Sequence, residues 1–288
     1  MWSALRRANA DVYYVSCASP IVGEVAMFCR RHAKKFIFRV ASDVDCIPDQ
    51  LIIKYWRDKK LYEYGLRRAD AVLVQSMHQR RLLESNYRVP STIAGMLVEP
   101  ADGYAPFSRR ELTVLWINNL RQLKRPDLYF ELASSLPELS FHMAGGAIPG
   151  QETFFEQAQA RAQARPNLSF LGHVPFHDVN PLYGRARVLV NTSDIEGFPN
   201  SYLQAWAAGT PVVAFFDPDG LIAKERLGFA VRTPQELREA VHELATNEAS
   251  WNAASQRCRA FMSRAYGEEV VLAPYRALID SAAAGSRT

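Results

Sequence analysis

The stretch Val188–Ala214, VLVNTSDIEGFPNSYLQAWAAGTPVVA, decides the fold. An apolar run, Val188 to Val190, ends at polar residues, and a loop follows that carries the carboxylate Glu196 beside Gly197 and Pro199. A helical pattern starts near Ser201, breaks at Gly209-Thr210-Pro211 and gives way to a second apolar run, Val212 to Phe216. Strand, loop, helix, turn and strand in that order make one crossover unit of a parallel sheet. Asn200 is the expected N-cap, which turns uncapped backbone N–H groups toward the loop, a place that attracts phosphate. Glu196 and Gln204 frame this helix end. A carboxylate repels a diphosphate, so Glu196 suits sugar hydroxyls. Gln204 lies about one turn into the helix, leans back toward its start and suits a ribose. Spacing alone leaves an ordinary strand–helix loop with a solvated Glu as an equal alternative.

EGFPNSYLQAWAAGTPVV closely resembles the nucleotide-sugar signature of retaining GT-B glycosyltransferases, the glycosyl transferases group 1 (GT4-like) family. That family places two acidic residues eight apart; here they are Glu196 and, as a departure, Gln204. The resemblance implies that Glu196 lies by the donor sugar and Gln204 by the ribose, where an amide keeps an acceptor oxygen but lacks the charge. Gly197, Phe198, Pro199 and Asn200 then form the diphosphate and hexose cradle.

LTVLWINNLRQLKRPDLYFELASSL, Leu112–Leu136, repeats the logic. A strand pattern, Leu112 to Ile117, runs into a polar loop and then a helix with Pro126 in its first turn, where Pro is favoured. Arg121, Lys124 and Arg125 crowd the loop, and fixed cations facing a diphosphate stabilise its departure. The family has an Arg followed five residues later by a Lys. Lys124 matches the Lys, Asn119 stands in the Arg position, and Arg121 is a substitute two residues on. Read alone, this is more readily a solvated basic loop.

LSFHMAGGA reads as a strand entering the pair Gly145-Gly146, and NLSFLGHVPFHDVNPLYGRA as a strand ending at Gly172-His173-Val174 before a short helix. A Gly pair is commonly a plain turn, but Gly also admits a ligand close to the backbone. The resemblance assigns nucleobase contacts to His173 and Val174. His173 and His177 have no further ligand at metal-site spacing, so no metal is expected. All four loops follow strands of one sheet, and ligands of such sheets collect at the carboxyl ends of strands.

The 288 residues, 48% hydrophobic, suffice for one large or two medium domains. No run approaches the ~20 apolar residues of a membrane span. Cys17, Cys29, Cys46 and Cys258 are scattered without a CxxC pair and read as reduced thiols of a cytoplasmic protein. Up to Arg110 there are 18 Lys and Arg against 11 Asp and Glu, a balance of +7, and the remainder carries −3. No recognition motif accompanies that charge, so nucleic acid is not an expected partner. QLIIKYWRDKKLYEYGL interleaves aromatics with cations. The expectation is a helix burying Leu51, Ile52, Tyr55 and Leu61. The alternative is a peripheral surface resting on an anionic membrane, at its inner face, or holding an anionic acceptor.

The first half alternates strands (Val12–Cys17, Phe36–Ala41, Ala71–Gln75, Thr92–Val98) with helices (Ile21–Ala33, His78–Asn86). A linker holds Pro100, Gly103 and Pro106. The resulting expectation is an α/β GT-B protein. A first Rossmann-like lobe spans 1–107, a donor-binding lobe 108–265, and a final helical segment, 266–288, crosses back to the first lobe, with parallel sheets facing across a cleft. The resemblance also implies an earlier strand and a Gly-rich loop. None precedes Val12, so the first lobe reads as incomplete, by roughly one or two strand–helix units, or the chain as a fragment. Arg39, Ser42 and Asp43 stand at a strand end where the family often has a His, and a solvated loop is the plainer reading.

The functional expectation is a retaining, metal-independent hexosyltransferase. It moves a hexose from a nucleotide diphosphate sugar to a hydroxyl of a saccharide or lipid-linked acceptor, without a separate cofactor. Lys124, Arg121 and Glu196 carry the chemistry. Asn119, Gly145, Gly146, His173, Val174, Gly197, Phe198, Pro199, Asn200 and Gln204 hold the donor. The rival is a catalytically impaired nucleotide-sugar-binding module left by N-terminal truncation. A sugar-nucleotide epimerase lacks a convincing acid/base set.

Overall fold

The computed structural model describes residues 1–99, 103–193 and 195–284, so Pro100 of the expected linker lies outside the described residues. The chain divides into two compact units, Met1–Leu97 together with the chain from Tyr266 on, and Val98–Ala265.

The first unit opens with α1 (Trp2–Ala8), which ends where Asn9 turns left-handed, and continues through β1 (Val12–Ser16), α2 (Pro20–Arg31) and β2 (Lys35–Arg39). Then come α3 (Trp56–Arg68), β3 (Ala71–Val74), α4 (Met77–Tyr87) and β4 (Thr92–Ile93). Ser76 caps α4, its Oγ accepting from the Gln79 amide at 3.1 Å. The strands pair in parallel in the order β1-β2-β3-β4. Alternate residues of β2 face opposite sides, as the pleat requires. Phe36 and Phe38 enter a core with Val22, Phe28, Tyr62, Leu66 and Leu83, while Ile37 faces a second cluster with Leu73 and Ala94.

The stretch from Leu51 departs from expectation. Leu51 and Ile53 are buried in extended chain, and α3 begins only at Trp56. Ile52 therefore points outward at 84% exposure and Tyr55, just before the helix, at 55%, so neither is the buried helix residue that the pattern suggests.

The second unit contains β5 (Leu112–Ile117), α5 (Pro126–Ser135), β6 (Phe141–Ala144), α6 (Glu152–Gln163), β7 (Leu168–Gly172) and α7 (Phe176–Arg185). It continues with β8 (Ala186–Asn191), α8 (Asn200–Ala207), β9 (Val212–Ala214), α9 (Leu221–Glu225), β10 (Gly228–Ala230), α10 (Pro234–Thr246) and α11 (Glu248–Ala265). Over the described residues its sheet is parallel, in the order β10-β9-β8-β5-β6-β7. The chain starts in the middle at β5, moves outward through β6 and β7, then returns to the other side of β5 with β8. The strand order thus reverses between β5 and β8, and ligands of open α/β sheets collect outside the carboxyl ends of strands at such a switch point. Val114, Trp116, Phe130, Phe141, Val188 and Val190 fill the core. The last helix, α12 (Glu268–Ala284), belongs to the first unit. Tyr275 donates to the Gly95 carbonyl at 2.9 Å, and Tyr275 and Leu278 cover Ile37 and Leu73.

The boundary falls between Leu97 and Val98, ahead of the expected 107/108. Phe107 stacks against Trp251 with ring centroids 5.6 Å apart, and Arg187 lies 4.0 Å over its ring. Arg110, only 1% exposed, ties the same segment to the second unit. Its guanidinium donates to the carbonyls of Ala105 (3.1 Å), Ala186 (2.7 Å) and Ala208 (2.8 Å) and to Thr210 Oγ1, with its plane 4.7 Å from the Trp251 ring. Burial lowers its pKa to about 10. A lysine retains one charge but cannot span these acceptors. Arg110→Lys is therefore expected to lower the unfolding free energy by about 3 kcal/mol, since each buried acceptor left unpaired costs roughly 1–3 kcal/mol. Urea unfolding measures this directly. An unchanged midpoint at unchanged slope would show that the carbonyls are satisfied without the fork.

Candidate functional site

Strands β5 and β8 are direct neighbours, Leu115 opposite Leu189, so the loops that follow them leave the sheet side by side. Lys124 closes a short 3-10 turn, Gln122–Lys124, after β5, and Glu196 lies in the loop after β8. Their charges meet: Lys124 Nζ is 2.6 Å from Glu196 Oε1, with the two side chains 16% and 12% exposed. Asn191, the last residue of β8, donates to the same Oε1 at 3.2 Å. Glu196 Oε2 has no partner among the described residues and stays open to hydroxyl donors. The backbone beneath the lysine is braced as well. Thr192 Oγ1 donates to the Lys124 carbonyl at 2.7 Å and accepts from buried Trp116 Nε1 at 3.0 Å. An ion pair this desolvated adds little net stability, because burying the charges offsets their attraction. Its value lies in holding a cation and a carboxylate at a fixed place.

Helix α8 starts at Asn200 with Pro199 as its N-cap residue, so Asn200 is the first helical residue and not the expected cap. Pro199 sits at φ −66°, already suited to entering a helix, and the helix begins directly after it. No side chain caps this end and its first turn holds no acid; Tyr202 N donates to the Pro199 carbonyl at 3.0 Å, which leaves the N–H groups of Asn200 and Ser201 for an anion. Phe198 and Pro199 are buried, Gly197 is half-buried and Asn200 is exposed.

Gln204 is already hydrogen-bonded within the protein. Its Oε1 accepts from Tyr183 OH at 3.3 Å, its Nε2 donates to Asn180 Oδ1 at 2.8 Å, and Asn180 Nδ2 donates to Glu99 Oε2 at 2.9 Å. Burial raises the Tyr183 hydroxyl pKa well above its ordinary value, which keeps it a neutral donor. The amide thus connects through Asn180 to a carboxylate that sequence reading did not single out.

The loops after β6 and β7 are stitched to the one after β5. A Cβ on Gly145 would lie 2.2 Å from the Asn118 carbonyl oxygen, so only glycine fits there. Gly145 N donates to Gly172 O at 2.8 Å, and Leu120 N donates to Gly146 O at 3.2 Å. Gly146 faces the His173 ring, where an added Cβ would come within 3.0 Å of Cδ2. Asn119 and Arg121 are exposed and Val174 is half-buried. Arg121 and Asn119 make no ion pair or side-chain hydrogen bond among the described residues, so Arg121 does not join Lys124 on Glu196. His177 is exposed and lies 3.3 Å from Asp178. The structure therefore assembles Lys124 with Glu196, and Gly145, Gly146 and His173 with one another, on one sheet edge. Sequence reading missed Trp116, Asn180, Tyr183, Asn191, Thr192 and Glu99. Asn191 and Thr192 directly precede the signature loop and were the detectable pair. Glu99 carried no local signal.

Known proteins resemble this chain in sequence and in fold. The model of the family described as Glycosyl transferases group 1 matches residues 111–247. The UDP-N-acetylglucosamine–peptide N-acetylglucosaminyltransferase GtfA subunit of Streptococcus pneumoniae serotype 4 is 24% identical over 177 residues, covering 55% of this chain and 33% of that protein. The chain thus spans about a third of the curated relative it matches. Among solved structures, S. aureus TarM, in complex with fondaparinux, alpha-GlcNAc-glycerol and UDP, aligns with a TM-score of 0.77 at 16% identity, over 96% of this chain and 57% of that one. Sucrose-phosphate synthase from Thermosynechococcus elongatus aligns with a TM-score of 0.79 at 16% identity, over 98% and 77%. Anabaena HepE, in complex with UDP and glucose, aligns with a TM-score of 0.75 at 12% identity, over 97% and 80%. By its two parallel α/β sheets and its likeness to these structures, the chain has the GT-B fold, and its residues 111–247 match the model of the glycosyl transferases group 1 family.

Proposed function

We propose that the chain is a glycosyltransferase that moves a hexose from a nucleotide diphosphate sugar to a hydroxyl of a saccharide or lipid-linked acceptor, with retention and without a metal. The observation that carries this reading is the Lys124–Glu196 pair, 2.6 Å long, set at the sheet reversal beside the open end of α8. A diphosphate arriving at the helix end competes for Lys124, and Glu196 is then freed for the sugar hydroxyls. As the bond between the anomeric carbon and the phosphate oxygen breaks, negative charge grows on that oxygen. Lys124 and the first-turn N–H groups of α8 stabilise it from fixed positions. These groups supply the positive charge that a metal ion supplies elsewhere. The acceptor hydroxyl enters on the face the diphosphate leaves, and its proton passes to the departing phosphate oxygen. Gln204, backed by Asn180 and Glu99, faces the ribose. Relatives solved with UDP support a uridine nucleotide as the first donor to try.

A second reading, a nucleotide-sugar-binding module without transfer, is favoured by exposed Asn119 in the family's Arg position and by the internal bonds of Gln204. Two measurements separate the readings. A panel of UDP-, GDP-, ADP- and dTDP-sugars is expected to raise the thermal midpoint for one base, by an amount equivalent to about 2.7 kcal/mol at a hundredfold excess over Kd. Transfer from that donor, followed by NMR of the product's anomeric proton, is expected to give retained configuration. Binding with no turnover on any saccharide acceptor supports the module.

Lys124→Ala is expected to lower kcat by about 10²–10³, the usual loss for one preorganised charge-stabilising group. Turnover at the wild-type rate would refute the leaving-group assignment. Gln204→Ala is expected to raise the donor KM with kcat nearly kept, because it removes ground-state binding. A loss confined to kcat would give Gln204 a different role.

A further inference from the structure

The exposed prongs around Trp56 are unexplained by sugar transfer. Within five residues Ile52, Tyr55 and Trp56 are 84%, 55% and 77% exposed. They are held outward. Leu51 and Ile53 lock the extended chain into the core, and Tyr62 and Leu66 lock α3 behind it, so the three side chains cannot fold back. Cations surround them. Lys54 Nζ lies 5.2 Å from the centre of the Tyr55 ring, Arg57 is exposed with its nearest acid, Asp58, at 3.6 Å, and Lys59 has no ion-pair partner among the described residues.

We propose that this surface docks the protein on an anionic lipid bilayer, with Trp56, Tyr55 and Ile52 entering the headgroup layer and Lys54, Arg57 and Lys59 facing lipid phosphates. Trp and Tyr rings, apolar with one polar edge, suit that layer, and the cations supply the attraction to negative lipids. The basic excess of the sequence, +7 up to Arg110, lies in the same half of the chain. A second copy is a poorer occupant, because a two-fold contact through this patch would bring the same cations face to face. Docking here is superficial: no helix among the described residues is long and apolar enough to cross a membrane.

Flotation of the full chain with vesicles tests this. Phosphatidylcholine vesicles containing phosphatidylglycerol are expected to carry the protein, with binding falling as salt rises, while pure phosphatidylcholine carries little. The I52S/Y55S/W56S variant is expected to lose binding about tenfold or more. K54E/K59E is expected to lose about as much, since each cation near an anionic surface is worth roughly a fivefold change in partitioning. Trp56→Ser alone, at an exposed helix end, preserves the fold and gives the same readout at smaller size. UDP binding should be equal in all variants, which keeps this test independent of the sugar-transfer reading. Protein that fails to float with either vesicle, or a triple variant that floats like wild type, overturns the proposal. So does a triple variant that changes only self-association in sedimentation velocity.

Discussion

Two strands far apart in sequence and adjacent in space set the site. Strand β5 ends at Ile117 and β8 at Asn191, and their pairing brings Lys124 within 2.6 Å of Glu196. Each charge alone would be expensive in a region where the side chains are 16% and 12% exposed. Together, with Asn191 and the Trp116–Thr192 brace, they form a neutral, ordered resting site. The sheet order makes this the place where the chain reverses direction, the position at which ligands of such sheets collect. The charge pair and its place at the strand-order reversal are thus consequences of the same topology.

The rest of the second unit fixes these loops in position. Arg110 and Trp251 bind the entering segment and the turn after α8 into one piece, and Gly145, Gly146 and Gly172 draw three loops onto one edge. Where the resemblance implies a second carboxylate the chain has Gln204, and a carboxylate from another segment, Glu99, stands behind it through Asn180. Under the proposed function, the ribose end of the site then keeps acidic character at one remove.

Much of this was legible because local signals were strong. Glu196, the Gly-Phe-Pro-Asn run and the break at Gly209-Thr210-Pro211 mark strand, loop, helix and strand within one stretch, and Lys124 follows an unambiguous apolar strand. What was not legible depends on contacts between distant segments or on one local competition. Glu99 reaches Gln204 only because the segment before β5 packs on α7. Arg121 and Lys124 look equivalent in sequence, yet the 3-10 turn gives one to solvent and the other to Glu196. Asn200 has the chemistry of a cap, but Pro199 already provides the entry geometry. The residues around Leu51 fit a helix or an extended chain equally well over so short a window, and the extended form, which hides Leu51 and Ile53, exposes Ile52.

The most direct test of the central claim is a crystal structure of the protein grown with UDP, read at the diphosphate. The account predicts both phosphates at the carboxyl ends of β5 and β8, with Lys124 Nζ moved from Glu196 onto a phosphate oxygen and the first-turn N–H groups of α8 pointing at the other phosphate. A nucleotide bound elsewhere, with the Lys124–Glu196 contact unchanged, would contradict it.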